Sequence, residues 1–269
     1  RLLMISEQKK NKKLFFLIAM PRSGNTLLAS IMNQNKDLVV TANSITLEIM
    51  KELFLLKDTD VFQNFPDHQS LDNVLDMVYN LYYRDWPQQV IIDRGPVLAT
   101  ANPGNFELMK KHLKGNFKCI VLLRNLMDVL ASYMKWYTEN PNAFINKLGN
   151  TDEEKLLKLM ENNGAIAKEL NAITNSFKYP NMCHFVKYDD LTTHPEEEIK
   201  KIYKFIDEPY FNHRFINLDQ ININGLSYND NVVGTDMHTV KKEKIEKTYN
   251  PYIEKIPQSI REKYGHIKF

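Results

Sequence analysis

Cysteine is nearly absent, with two in 269 residues. Cys119 and Cys183 both sit inside apolar, strand-like runs (FKCIVLL and NMCHFVKY), which suits buried thiols in a reducing, cytoplasmic setting. Neither a disulfide framework nor a zinc site follows from them. Long apolar runs are lacking too. The longest, Leu14–Met20, is seven residues, far below the roughly 20 needed to cross a bilayer, so stable membrane insertion is not expected. No small-residue cleavage site follows that run, which therefore reads as a buried strand rather than a signal peptide. The numbering begins at Arg1 rather than Met, which leaves a preceding targeting segment open. Charge of one sign is missing as well: 35 Lys+Arg against 33 Asp+Glu give +2. That balance excludes a nucleic-acid coat, and any preference for an anion must come from local placement. Arginine itself is scarce, seven of the 35 basic residues, so each one invites a reason.

What is present is ordinary globular material, 43% hydrophobic and 25% charged. The length fits one large domain spanning residues 1–269. Short apolar runs alternate with helical patterns, the mark of βα units and a mostly parallel sheet, hence an α/β fold of about five strands between helices. Strands are expected at Leu14–Ala19, Leu38–Thr41, Gln89–Asp93, Phe117–Leu123 and Met182–Lys187. Helices are expected over Asn25–Asn35, Ile45–Leu56, Leu71–Trp86, Asn105–Lys114, Leu126–Tyr137 and Pro195–Ile206. Thr151–Phe177 reads as one long, charged surface helix, and one or two further helices are expected between Glu243 and Tyr264.

Two segments carry chemistry. Phe15–Ser30, FFLIAMPRSGNTLLAS, is a buried strand, a tight turn and a helix whose first amides face the turn. Orphan N–H donors and the positive end of the helix dipole then converge on one spot, a cradle for phosphate or sulfate. A P-loop nucleotidase would carry G-x-x-x-x-G-K-[ST]. Here Ala19 stands at the first glycine and Asn25 at the lysine, while the basic residue is Arg22, inside the loop. The second segment, CIVLLRNLMDVLASYMKWY, is an apolar strand ending in Arg124 with Ser132 eight residues on. Ligands of open α/β sheets bind beyond the carboxyl ends of the strands, so Arg124 reaches the edge that Arg22 occupies. A guanidinium fork beside a hydroxyl suits a phosphate monoester.

Together, Pro21-Arg22-Ser23-Gly24-Asn25-Thr26-Leu27 and, about a hundred residues later, Arg124-Asn125-x-x-Asp128-Val129-x-x-Ser132 resemble the sulfotransferase family. The resemblance implies a P-loop-like three-layer αβα domain that moves a sulfuryl group from 3′-phosphoadenosine 5′-phosphosulfate (PAPS) to an acceptor hydroxyl, releasing PAP. It implies that Arg22, Ser23, Gly24, Asn25, Thr26 and Leu27 hold the 5′-phosphosulfate, and that Arg124 and Ser132 hold the 3′-phosphate. Asp93-Arg94-Gly95-Pro96 is similar to the family's Asp-Lys-x-Pro segment, which sets a basic side chain beside the sulfuryl group. Val186-Lys187-Tyr188-Asp189-Asp190-Leu191 resembles its Tyr-Glu-Asp-Leu segment, placing Tyr188 near the nucleotide. Gly234–His238 with Lys241 and Lys242 falls where many members close a loop over the nucleotide.

Sulfuryl transfer is an in-line displacement in which fixed cations stabilise charge on the bridging oxygen, a role that falls to Arg22 and Arg94. The leaving phosphate is held by backbone N–H groups and guanidinium, so no metal is expected. The proton acceptor departs from the family pattern, because Asn43 stands where a Glu would be expected. Glu48 and Asp93 are the substitutes, with His68 and His112 behind them. The acceptor expected is a small molecule or carbohydrate with a hydroxyl, but the residues do not identify it and leave small alcohol, lipid and peptide tyrosine open as well; its pocket is expected to be walled by the aromatic insert Phe54–Trp86 and the polar region Tyr210–Val233. A P-loop kinase-like phosphotransferase and a non-catalytic nucleotide-binding relative are the alternative readings.

Overall fold

A computed structural model describes residues 12–95, 103–113, 118–162, 164–220, 222–234, 237–240, 245–247 and 249–269. Five strands, β1 (Lys13–Ala19), β2 (Leu38–Asn43), β3 (Val90–Arg94), β4 (Cys119–Leu123) and β5 (Cys183–Lys187), form one sheet in the order β2-β3-β1-β4-β5. Every neighbouring pair is parallel. Parallel strands covered on both faces read as continuous apolar runs. Accordingly Phe15–Ala19 of β1 and all of β4, CIVLL, are buried. Cys119 pairs in register with Cys183, and both thiols are free and buried.

The helices are α1 (Asn25–Met32), α2 (Thr46–Leu55), α3 (Asp60–Asn64), α4 (His68–Tyr82), α5 (Pro103–His112), α6 (Leu126–Glu139), α7 (Asp152–Met160), α8 (Ala165–Ser176), α9 (Tyr188–Thr193), α10 (Pro195–Ile206) and α11 (Gln258–Tyr264). The order 2-3-1-4-5 puts β1 in the middle, with the loop after it flanked by the ends of β3 and β4. That is the crossover point where open sheets bind ligands. Lys114, Phe117 and Glu243, which bound three of the expected elements, lie outside the described residues.

The structure corrects the expected helix over Thr151–Phe177. It is two helices, α7 and α8, parted at Gly164, where a Cβ would stand 2.3 Å from the Leu159 carbonyl oxygen. Nor does it lie only on the surface: Leu156 and Leu159 on α7 and Ile166, Ala172 and Ile173 on α8 are buried. The charges that suggested a solvated helix occupy mostly the outer faces, Glu169 Oε2 being buried. A capping box between Thr151 and Glu154 starts α7. Helix α4 begins at His68, three residues earlier than its apolar spacing suggests, because Asp67 caps it by accepting from the Ser70 amide. The short α3 is held mainly by its Thr59 cap, with no buried residue to give it a period.

Candidate active site

Between β1 and α1 the chain makes a turn that needs two left-handed residues, Arg22 (φ 64°) and Gly24 (φ 93°). Helix α1 starts without a side-chain cap, so its first amides open into this turn. Gly24 leaves no room for a side chain, since a Cβ there would stand 2.7 Å from Tyr188 Cδ2. Ser23 is fully buried, and its hydroxyl finds no hydrogen-bond partner among the described residues. Asn25 donates from Nδ2 to the Met20 carbonyl (3.2 Å), while its Oδ1 is buried and unpartnered. Leu27 is half-buried against the core.

The second segment meets the first directly. Arg22 Nε donates to Ser132 Oγ (3.1 Å), on α6, and Arg22 Nη1 donates to the Met237 carbonyl (3.1 Å). Arg124, just past β4, donates from Nη1 to the Arg22 carbonyl, and its guanidinium lies 4.1 Å from the centre of the Tyr188 ring. Tyr188, the first residue of α9, is thus held between the Gly24 backbone and Arg124. Arg124 Nε is buried and bonded to nothing among the described residues. Burial holds the Arg22 guanidinium below the usual arginine value, and neighbouring Arg124 adds to this against the opposing pull of Tyr133 and Tyr188. Two close cations with buried, unsatisfied donors around them make a site waiting for an anion. Lys241 lies outside the described residues.

Arg94 ends β3 opposite Asn43 of β2, and its Nη1 donates to the Tyr228 hydroxyl (3.1 Å). Asp93 turns the other way. It is fully buried and accepts from Ser44 Oγ (2.6 Å), Thr46 Oγ1 (2.5 Å) and Tyr83 Oη (2.8 Å). Burial raises its pKa, and these three hydroxyls pull it back. Asp93 therefore ties the residues just after β2 and α4 to the first residue of α2. Glu48, in the first turn of α2, has both carboxylate oxygens buried without partners. Burial, with Asp93 adding repulsion, raises its pKa to about 7. It lines neither of the cavities at this edge of the sheet.

Those cavities share Asn43. The smaller, about 110 Å³, is walled by Tyr82, Tyr83 and Trp86 from one side and Ile223, Leu226 and Tyr228 from the other. The larger, about 630 Å³, runs from Ala19, Arg94 and Gly95 out to Lys158, Lys168 and Glu169 on α7 and α8. Of the aromatic insert, Tyr82, Tyr83 and Trp86 reach the smaller cavity, whereas Phe65 is exposed and Tyr79 is in the core. His112 is buried between Asp72 and Asp76, and His68 packs on Phe62; neither lines the two cavities.

Three groups here go beyond the sequence reading, which places His238 only in a loop over the nucleotide and names neither Glu169 nor Asp230. Glu169 is one: Oε2 is buried and unpartnered, and burial holds its pKa well above the usual carboxylate range, Arg94 opposing. The signal was its spacing from Ile166 and Ile173, which sets it beside the apolar stripe of α8. The other two are Asp230 and His238, joined by a hydrogen bond of 2.5 Å between Oδ1 and Nδ1. Among the described residues, no three His, Cys, Asp or Glu side chains gather as metal ligands.

Against known proteins, the family model for the sulfotransferase domain matches residues 12–250. The chain belongs to the sulfotransferase family. Its fold is similar to the sulfotransferase domain of the Synechococcus PCC 7002 olefin synthase, at 17% identity and a TM-score of 0.50, with 76% of each chain covered. Two others are the sulfotransferase domain from the curacin biosynthetic pathway (19% identity, TM-score 0.48, 74% of this chain and 75% of that one) and mouse sulfotransferase SULT7A1 complexed with PAP (16%, 0.46, 74% and 61%). Among curated proteins none matches the sequence. In this sulfotransferase-family chain the five-stranded parallel sheet is the P-loop-like architecture that its motifs imply.

Proposed function

We propose that this protein transfers a sulfuryl group from PAPS to the hydroxyl of a small-molecule acceptor and releases PAP. The observation that carries this reading is the meeting of the two motifs, Arg22 Nε on Ser132 Oγ and Arg124 on the Arg22 carbonyl, around buried donors without partners. The Ser23 hydroxyl, Arg124 Nε and the uncapped amides of α1 are the donor set that a phosphorylated, sulfated ligand would satisfy. PAPS, when bound, supplies the activated sulfuryl group and a phosphate as leaving group.

In this reading Ser23, Gly24, Asn25, Thr26 and Leu27 cradle the 5′ end of the nucleotide with backbone N–H groups. Arg124 and Ser132 hold the 3′-phosphate, and Tyr188 stacks under Arg124. Arg22 and Arg94 offset the negative charge that grows during transfer, and Lys241 is assigned to the nucleotide by the family resemblance alone. Glu48 and Asp93 are the two carboxyls that the sequence offers in place of the family's Glu. Asp93, already bonded to three hydroxyls, positions Arg94 instead of taking a proton. The larger cavity falls within the roughly 300–1,000 Å³ usual for small ligands, and its polar mouth of Lys158, Lys168 and Glu161 supports a polar or carbohydrate acceptor. Residues 1–269 form one domain that works in the cytoplasm.

The test is calorimetric titration with PAP, with ADP, and with ATP plus Mg²⁺. Micromolar binding of PAP without metal, and little of the others, is the expected result. Preference for ATP with Mg²⁺ would make the protein a phosphotransferase.

A further inference from the structure

Tyr228 and Met237 are tied to the same two arginines that the transfer reading uses. Arg94 Nη1 bonds the Tyr228 hydroxyl, and Arg22 Nη1 bonds the Met237 carbonyl. Between them in the chain, Asp230 accepts three hydrogen bonds: Oδ2 from the amides of Met237 (2.8 Å) and His238 (3.0 Å), and Oδ1 from His238 Nδ1 (2.5 Å). The imidazole lies flat on the Tyr228 ring, centroids 3.8 Å apart and planes 4° from parallel. Gln220 fixes the backbone on both sides, donating to the His238 carbonyl (2.8 Å) and accepting from the Val240 amide (2.9 Å). A ring fixed in rotation, with one nitrogen bonded to a carboxylate, presents its other nitrogen as a neutral acceptor. We propose that His238, oriented by Asp230, takes the proton of the acceptor hydroxyl on Nε2.

This inference rests on the sulfuryl transfer reading. In the step, the acceptor O–H bond breaks and its proton goes to Nε2 while the acceptor oxygen bonds to sulfur. The bond from sulfur to the donor's bridging oxygen breaks, and its electron pair leaves with PAP. The imidazolium then gives its proton to solvent. Asp230 is a positioning residue, and the charge that forms on the ring is stabilised by its carboxylate.

The charged and titratable groups facing the imidazole are Asp230 and Tyr228 from its own segment, Arg22 from the β1–α1 turn and Arg94 from β3. Burial lowers the His238 pKa, Arg94 and Arg22 lower it further, and Asp230 pulls it upward without reversing the shift. The ring is therefore neutral at neutral pH, the state a proton acceptor needs.

The experiment has two arms. In the full chain with isotope-labelled histidine, NMR titration reads tautomer and pKa. The expected result is a neutral Nδ1–H tautomer at neutral pH, titrating below the usual imidazole range, and moved further down by Asp230→Asn. A ring protonated at neutral pH, or one carrying its proton on Nε2, overturns the proposal. In the second arm, transfer from radiolabelled PAPS is followed with a simple aliphatic alcohol, whose hydroxyl keeps its proton across the assay range, as probe acceptor and with water alone. His238→Asn is expected to lose at least about a hundredfold in kcat, with PAP affinity by calorimetry within about twofold of wild type. Asp230→Asn is expected to shift the acid limb of the kcat profile to lower pH, which a purely structural role would not do. Wild-type kcat in His238→Asn overturns the proposal while leaving the transfer reading in place. Failure of the wild-type chain to bind PAP overturns both.

Discussion

Gly24 and Tyr188 touch so closely that a methyl group on the glycine would stand 2.7 Å from Cδ2 and 2.8 Å from Cε2 of the ring. The glycine also holds φ at 93°, which costs an L-residue about 1–2 kcal/mol. Gly24→Ala therefore has two defects: a strained turn, and a tyrosine ring pushed from beneath Arg124. PAP affinity is expected to fall at least about tenfold, or about 1.4 kcal/mol, with a lowered Tm. Calorimetry and thermal denaturation of the same sample check both, and an alanine variant with unchanged PAP affinity would detach Tyr188 from the nucleotide.

Arg124 connects the motifs by bonding the Arg22 carbonyl and stacking on Tyr188. Arg124→Ala is expected to weaken PAP by more than about 1.5 kcal/mol, the usual loss for a charged hydrogen bond. Arg124→Lys restores charge but neither the planar stack nor the second donor, so it should recover only part of that loss. Complete recovery with Lys would mean that charge alone is read at this position.

Glu48 gives a pH prediction that separates stability from catalysis. Its folded pKa, about 7, lies above the ordinary 4.5 because burial disfavours the charged carboxyl. The folded state then binds more protons than the unfolded state between these values, so this group's contribution to stability falls as pH rises through that window. Above pH 7 the fold holds a desolvated anion. Glu48→Gln should therefore raise Tm at pH 8, flatten the decline between pH 5 and 7, and leave transfer intact. A variant that binds PAP normally yet transfers nothing would make Glu48 the proton acceptor in place of His238.

Much of this site is legible in the sequence, for a physical reason. Parallel strands buried on both faces are continuous apolar runs, and a chain that leaves such a run through Pro21-Arg22-Ser23-Gly24 or Arg124-Asn125 can only deliver those residues to the carboxyl edge of the sheet. Contacts made by irregular chain are not legible. Asp230 reaches His238, and Arg94 reaches Tyr228 from 134 residues away, with no period or motif to announce either pairing. The same holds for Arg22, which turns its guanidinium toward Ser132 and the Met237 carbonyl, the first expected to hold the 3′-phosphate and the second in a segment expected only to cover the nucleotide. Gly164 shows the opposite failure. A single glycine in a charged, helix-forming stretch looks tolerable until the close approach of the Leu159 carbonyl is seen.

Tyr228 separates orientation from electrostatics at the site. Its hydroxyl accepts from Arg94 and its ring face carries His238, so one side chain bears on a cation and on an imidazole. Tyr228→Phe removes only the hydroxyl. It frees Arg94 Nη1 to turn to ligand or solvent and keeps the stack, so kcat should change by less than about tenfold, or about 1.4 kcal/mol. Tyr228→Ala removes the surface on which the imidazole lies and opens the wall of the smaller cavity. With the Asp230 bond alone, the ring can swing, and kcat is expected to fall several times further than in the Phe variant while PAP affinity stays the same. Equal kcat in the two variants would show that the hydroxyl, and not the stacked ring, is what the reaction requires of Tyr228.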